Sequence, residues 1–238
     1  MAYPEVYFAK LVVLGEGDSE DIVLHRMLGA MGVEADASSV CVAPLGGRHV
    51  NHFWRLLSSL RVPYITLLDL DYGRHGGGWG RIKVAHGYLR QFPNGHPVRT
   101  AAEVNALPGW KTSCGGEDFF EELRFLKRAG VFFSLPIDLD FIMMRKFPDA
   151  YGAMGQPLGD DDDLITAVLG KSGIASHLSE EAQSFFHDYH CLFKLGSKPV
   201  AHLQALANLS DEELIADAPN TLKVLCQRVV TMLAADSE

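Results

Sequence analysis

Two apolar runs that end abruptly in carboxylates constrain the fold more than any other feature of this chain. Leu11-Val-Val-Leu-Gly15 is followed by Glu16, and Ile65-Thr-Leu-Leu is followed by Asp69 and Asp71. A short apolar run bounded by glycine is typical of a strand that is buried on both faces, as in parallel sheets. Open α/β sheets bind their ligands at the carboxyl ends of such strands. The pattern therefore predicts an acidic site at one end of a parallel sheet.

The order of the predicted elements supports this fold class. Helices are predicted over Asp21–Met31 and Val50–Leu60, and further strands over Val40–Leu45 and Val62–Asp69. Short β-α-β-α-β connections favour a doubly wound parallel sheet. The later elements are predicted as a helix near Arg81–Gln91, a helix over Glu117–Ala129, a strand over Val131–Leu135, and helices over Leu178–Phe193, Val200–Asn208 and Leu222–Ala235.

We expect two domains in the 238 residues. The first covers residues 1–149 and carries a partly helical insertion near 72–130, and the second is a helical domain over residues 150–238. Within the insertion, the glycine-rich segment Tyr72–Gly80 is predicted as a mobile loop, because it offers little that can pack in a core.

The hydropathy, cysteine spacing and net charge of the whole chain narrow the class of protein to which it can belong. No apolar stretch approaches the roughly 18 residues of a membrane helix, and the N-terminus does not resemble a signal peptide. The four cysteines are widely spaced, which favours reduced thiols in the cytoplasm. A net charge of -9 disfavours unaided binding of nucleic acid. The charge suits an enzyme that binds metal ions, or one whose DNA-binding surface lies elsewhere.

The acidic residues predict a metal site. If the first and third strands are neighbours, Glu16, Glu20, Asp69 and Asp71 converge, and so many carboxylates do not stay ionised together without cations. Oxygen ligands of this kind suit Mg²⁺ or Mn²⁺. Two such ions about 4 Å apart can clamp a phosphodiester during in-line displacement. Asp138 and Asp140, after the fourth strand, are the candidate ligands for a second ion.

Structural alternatives exist for each acid. Asp69 and Asp71 can form a solvated turn, and Glu20 can simply favour the dipole of the helix that follows it. Asp138 or Asp140 can cap the helix that begins near Phe141.

At this point the residues resemble a known family. Val13-Leu-Gly-Glu-Gly-Asp-Ser-Glu20, then a strand ending in Gly46-Gly47, then Asp69-Leu-Asp71, resembles the Toprim domain of topoisomerases, primases and certain nucleases. The Glu-Gly-Asp-Ser-Glu form, Pro63 and the turn Gly196-Ser-Lys-Pro199 are most similar to the overcoming-lysogenization-defect (OLD) nucleases. The resemblance covers most of residues 8–140 and that late turn. It implies an α/β fold with a Rossmann-like sheet of about four mainly parallel strands, flanked by helices, with an appended helical domain that carries the Gly-Ser-Lys-Pro turn.

The resemblance implies two-metal cleavage of DNA, with Mg²⁺ or Mn²⁺ as cofactor. Its catalytic residues would be Glu16, Asp69, Asp71 and Lys198. Lys198 would neutralise charge on the transition state, unless it is a surface lysine. The metal ligands would be Glu16, Glu20, Asp69, Asp71, Asp138 and Asp140.

The resemblance also implies partners. Members of the family carry an N-terminal ATPase, so we expect either a C-terminal fragment or a split protein with an ATPase partner, and a homodimer through the missing region. DNA contacts are predicted at Arg48, after the glycine pair, and at Arg74, Arg81 and Lys83, around the glycine-rich loop. A solvated loop is the alternative for these basic residues.

The sequence thus predicts the core of a metal-dependent DNA endonuclease. The first alternative is primase-type nucleotidyl transfer, which usually brings a zinc-binding region that this sequence lacks. The second is a non-catalytic metal-binding module that serves assembly with an ATPase.

Overall fold

The computed structural model describes residues 4–33, 38–46, 50–93 and 95–235. In these residues a sheet forms from β1 (Leu11–Gly15), β2 (Val40–Pro44), β3 (Tyr64–Asp69) and β4 (Val131–Ser134). The strand order is β2-β1-β3-β4, and each neighbouring pair is parallel. The predicted α/β fold with a parallel Rossmann-like sheet is confirmed.

The strands form where the sequence is continuously apolar, because both faces of the sheet are covered. All five residues of β1 and all four of β4 are buried. Leu14 of β1 lies opposite Ala43 of β2 on one side and Thr66 of β3 on the other. The chain thus leaves β1 for one neighbour and later returns to the opposite edge of β1. The carboxyl ends of β1 and β3 therefore meet at the point where the strand order reverses, which is the usual ligand position in such sheets.

Helices cover both faces of this sheet. Right-handed crossovers place α1 and α2, the helices that follow β1 and β2, on opposite faces. The helices of more than four residues up to β4 are α1 (Asp18–Ala30), α2 (Val50–Leu60), α3 (Trp79–Gln91), α4 (Ala101–Ala106) and α5 (Glu117–Arg128). After β4 come α6 (Leu139–Lys146), α7 (Pro148–Tyr151), α8 (Asp162–Leu169), α9 (Glu180–Gln183), α10 (Phe186–Tyr189), α11 (Lys198–Ala207), α12 (Asp211–Asp217) and α13 (Asn220–Ala235). Of the described helices, none is long and apolar enough to cross a bilayer.

The late helices pack directly on the sheet layer. Arg26 of α1 donates to Asp211 at 2.5 Å and to the Leu209 carbonyl at 2.9 Å. At the other end of the layer, Thr221 of α13 donates to the Phe133 carbonyl of β4 at 3.1 Å. Helix α11 also packs against α1, and its first residue, Lys198, lies near Glu16 at the carboxyl end of β1. The division into domains at residues 149 and 150 stays a prediction.

Two sequence-based expectations do not match the structure. The continuous helix predicted over Leu178–Phe193 is divided into α9, α10 and a π-helical segment, His190–Leu195. The break falls at Ser184, whose hydroxyl donates to the Glu181 carbonyl at 2.8 Å and so competes with regular helix bonding. The glycine-rich segment after Asp71 is a series of hydrogen-bonded turns with Tyr72 buried, and not an unpacked loop.

Candidate metal-binding site

The first carboxylate, Glu16, lies against the end of the third strand. Its Oε1 accepts a hydrogen bond from the Asp69 backbone amide at 3.0 Å. Glu20, in the first turn of α1, folds back so that its Oε2 accepts from the Gly17 amide at 2.7 Å. Gly15 permits this approach, since a Cβ on it would lie 2.2 Å from the Cβ of Glu20. The predicted meeting of the β1 and β3 acids is therefore present.

Most of the predicted site residues line one cavity of about 490 Å³. Its walls carry six carboxylates and one ammonium group: the predicted Glu16, Glu20, Asp69, Asp138, Asp140 and Lys198, and also Asp18. Asp71 is not on this wall. Strand β3 ends at Asp69, and Asp71 has a left-handed φ of 54°, so the two-residue alternation of a strand does not extend to it. Its carboxylate contacts Arg74 at 2.9 Å and Arg81 at 3.4 Å instead.

Two carboxylates of the cavity, those of Glu20 and Asp69, have raised pKa values. Burial and the charges of Asp140 and Glu16 raise the pKa of Glu20 to about 8. Burial also raises the pKa of Asp69 well above its usual range, and the neighbouring carboxylates of Asp138, Glu20, Glu16 and Asp71 raise it further. Among the described residues, the donors to Asp69 Oδ1 are neutral: the Ser134 hydroxyl at 2.8 Å and the Leu139 amide at 3.2 Å. A cation in the cavity would favour the ionised form of both groups.

Asp138, by contrast, already has its partners. Its Oδ1 caps α6 by accepting from the Phe141 amide at 3.0 Å, which is the capping alternative that the sequence left open. Its Oδ2 accepts from Arg74 at 2.9 Å and from the Tyr189 hydroxyl at 2.5 Å.

Asp140 is likewise paired. It contacts Lys198 Nζ at 2.6 Å and His202 Nε2 at 2.9 Å. Burial alone would raise the pKa of Asp140, but the His202 hydrogen bond and the Lys198 charge outweigh it and hold the pKa well below the usual range. Because the ionised Asp140 can only accept, the buried His202 donates to it through Nε2, and His202 Nδ1 lies 2.6 Å from the Tyr151 hydroxyl.

The four basic residues predicted to contact DNA differ in where they lie relative to the acidic cluster. Arg74 and Arg81 are largely buried within the acidic cluster; Arg81 pairs with Glu16 and Asp71 and donates to the Asp69 carbonyl at 2.7 Å. Lys83 is half-buried, and its Nζ lies 3.4 Å from the Asn105 carbonyl. Arg48 lies outside the described residues.

The donor set fits a hard divalent cation. Carboxylate oxygens are the ligands that Mg²⁺ and Mn²⁺ prefer, and Glu20 and Asp69 form no ion pair with a basic residue in the described part of the chain. No three His, Cys, Asp or Glu side chains of the described residues are already spaced as a metal site. Binding an ion therefore requires the cavity side chains to rotate towards it.

Four residues of this cluster were not predicted: Ser134, Tyr151, Tyr189 and His202. A sequence signal exists for two of them. Ser134 is the last residue of β4, the position where β3 places Asp69. His202 follows Lys198 by four residues on α11, so both lie on one helix face. The two tyrosines come from other helices, and nothing in their spacing connects them with the strand ends.

Comparison with known proteins relates the fold and part of the sequence to one family. A search of curated protein sequences found no significant match. The model of the "Overcoming lysogenization defect protein-like, TOPRIM domain" matches residues 7–71, which hold β1 to β3 and four of the predicted acids. The C-terminal region of the Xanthomonas campestris pv. campestris OLD protein superposes with a TM-score of 0.60 at 14% identity, covering 97% of this chain and 99% of that one.

A second solved structure gives the same relation. The C-terminal region of the Burkholderia pseudomallei OLD protein has a TM-score of 0.57 and 14% identity, and the match covers 95% of this chain and 99% of that chain. At this identity the likeness establishes the fold. Residues 7–71 thus match the OLD-like TOPRIM domain model, and the chain has the fold of OLD C-terminal regions.

Proposed function

We propose that this chain is the catalytic part of a divalent-cation-dependent DNA endonuclease. A Toprim-type module of this family implies metal binding and nuclease- or primase-like chemistry. The observation that supports cleavage most directly is the acidic cavity, where Glu16, Glu20 and Asp69 lie beside the ammonium group of Lys198. Anionic ligands for a cation and a positive side chain for a phosphate are the groups that phosphodiester hydrolysis requires.

Glu16, Glu20 and Asp69 would hold the cation. A divalent ion there would polarise the phosphate and lower the pKa of a water that it binds. The Gly17 amide and the Ser134 hydroxyl, which already bond to Glu20 and Asp69, would keep those carboxylates oriented. In the reaction the water oxygen bonds to phosphorus and the bond to the 3′ oxygen breaks, which leaves 5′-phosphate and 3′-hydroxyl ends.

Lys198 would stabilise the charge that develops on the phosphate. Burial lowers the pKa of its ammonium group, but the Asp140 charge outweighs this and the pKa is raised, so Lys198 is protonated at neutral pH. Its side chain is 44% exposed although it contacts the buried Asp140. Asp140 and His202 would therefore position a cation that the substrate can reach.

The two-cation form of the reaction, which the resemblance implies, would add a second ion and would use Asp71, Asp138 and Asp140 as metal ligands too. These carboxylates would have to exchange Arg74, Lys198 and His202 for that ion. DNA is the proposed substrate. With a net charge of -9, a DNA-binding surface on an ATPase region or a split ATPase partner would supply much of the affinity. The proposed location is the cytoplasm.

Supercoiled plasmid tests the proposal. We expect nicking in Mn²⁺ or Mg²⁺ that stops in EDTA and is lost in Asp69→Asn, which keeps the side-chain shape and removes the charge. Asp211→Asn is the matched control, because Asp211 pairs with Arg26 and lies outside the cavity. A folded wild-type protein that is inert in every metal would contradict the proposal and favour the assembly module. Incorporation of nucleotides without nicking would favour primase-type transfer.

A further inference from the structure

The guanidinium of Arg74 lies between Asp71 and Asp138, two of the six carboxylates that the resemblance implies as metal ligands. Its Nη1 donates to Asp71 Oδ1 and to Asp138 Oδ2, both at 2.9 Å. These acids come from different elements, since Asp71 follows β3 and Asp138 precedes α6. A positive group between two carboxylates from separate strand ends attracts both of them electrostatically, as a bound cation would.

The other nitrogens of Arg74 are also engaged. Nε donates to the Val168 carbonyl at 3.2 Å, and Nη2 donates to the Tyr189 hydroxyl at 2.8 Å. That hydroxyl donates in turn to Asp138, which closes a ring of three side chains. The Arg74 side chain is only 18% exposed. Arg74 is therefore a fixed internal charge, and an arginine does not lose its proton in a protein.

The local backbone directs Asp71 towards Arg74. The Arg74 amide donates to the Asp71 carbonyl at 2.8 Å, and the Gly77 amide donates to the Arg74 carbonyl at 3.0 Å. A Cβ at Gly77 would lie 1.8 Å from the Asp71 carbonyl oxygen, so only glycine permits this tight pair of turns. The left-handed Asp71 thus keeps its carboxylate on Arg74 and off the cavity wall.

The cavity itself is arranged in the opposite way. Glu20 and Asp69 accept hydrogen bonds from neutral groups, and within the described residues neither of them has a basic partner. The cluster therefore has two unlike halves. In one half, Glu20 and Asp69 form no ion pair within the described residues, although Glu16 beside them pairs with Arg81; in the other half, Asp71 and Asp138 share Arg74.

We propose that the site binds a single divalent cation, on Glu16, Glu20 and Asp69, and that Arg74 permanently supplies the second positive charge between Asp71 and Asp138. This inference rests on the proposed function, because it concerns the same cavity. It assigns Asp71 and Asp138 to positioning Arg74 rather than to metal binding. A chelator would then remove one source of positive charge, the bound ion. The charge of Arg74 would remain, because it belongs to the chain.

Counting bound Mn²⁺ tests this assignment without reference to activity. The purified full chain is titrated with MnCl₂ to saturation, and the bound ion is counted by calorimetry and by the EPR signal of free Mn²⁺. We expect one Mn²⁺ per wild-type chain and two per Arg74→Met chain, in which Asp71 and Asp138 lose the guanidinium that they share. Arg99→Met is the matched control and should bind one, since Arg99 pairs with Glu122, which is not on the cavity wall.

A second pair of variants covers the case in which Arg74→Met does not fold. Asp71→Asn should still bind one Mn²⁺ with an affinity within threefold of wild type, whereas Glu20→Gln should bind it at least tenfold more weakly. Two ions on the wild type, or a loss of Mn²⁺ in Asp71→Asn, would overturn the assignment to Arg74 and leave the nuclease proposal intact. No binding to the wild type would contradict both.

Discussion

Replacing Gly15 by alanine is the change that tests most sharply how the fold builds the site. The Cβ of the new side chain would lie 2.2 Å from Glu20 Cβ and 2.6 Å from Glu20 Cγ. Both contacts are far below van der Waals distance and involve atoms close to the backbone of α1, so a rotamer change of Glu20 relieves only the second. The first turn of α1 must shift away from β1, and Glu20 must move with it.

The expected cost follows from overpacking. One extra methyl group in a tightly packed site destabilises a protein by about 1–3 kcal/mol. In a chain of this size each kcal/mol lowers the midpoint of thermal unfolding by about 2–4 °C, so Gly15→Ala should unfold roughly 2–12 °C below wild type. Gly29→Ala is the control, because a Cβ there meets nothing within 4 Å and Gly29 lies within helix α1. That variant should be stabilised by about 0.5–1 kcal/mol.

Urea unfolding followed by circular dichroism gives both free energies, and a Mn²⁺ titration shows whether Glu20 has moved. We expect the two glycine variants to change stability with opposite signs, and only Gly15→Ala to bind Mn²⁺ more weakly. A Gly15→Ala protein as stable as wild type with unchanged Mn²⁺ affinity would refute the claim that this glycine sets the Glu20 position.

Three further predictions concern residues around the cavity and in the adjoining layer. Lys198→Met should slow plasmid nicking about 10²–10³-fold with unchanged Mn²⁺ binding, because it removes charge stabilisation from the transition state; an unchanged rate would exclude that function. His202→Ala should lower the free energy of unfolding in urea by about 2–4 kcal/mol, because it leaves a cavity and removes a donor from the buried Asp140; a loss below about 0.5 kcal/mol would contradict the buried network. Burial lowers the pKa of His86 below its usual 6.5, so its contribution to stability is present above that pH and is lost as the pH falls. Between about pH 7 and pH 5, His86→Gln should therefore lose less stability than wild type in urea melts, and equal losses would argue against a neutral His86.

The sheet could be predicted because each strand is a separate apolar run that is buried on both faces. Leu11–Gly15 and Val131–Ser134 lie within one residue of the predicted ranges. The convergence of Glu16 with Asp69 followed from the same pattern, since parallel neighbours end at one edge. These features depend on the periodicity and composition of short segments, and both can be read directly from the sequence.

The partners of the acids could not be predicted in the same way. Arg74 appears in a glycine-rich stretch that is typical of an exposed loop, yet it is buried because Asp138 and Tyr189 come from segments 64 and 115 residues further along the chain. Asp71 follows the strand by two residues, but its left-handed backbone removes it from the face that alternation assigns to it. Such contacts depend on tertiary packing, and no local pattern contains them.

The most direct measurement of the central claim is the position of Mn²⁺ in a crystal soaked with that ion, located by its anomalous scattering. We predict one peak within bonding distance of carboxylate oxygens from Glu16, Glu20 and Asp69, with the Arg74 guanidinium still between Asp71 and Asp138. A crystal at saturating Mn²⁺ with no peak in the cavity, or with a peak only outside it, would contradict the claim that these strand-end acids form a cation site.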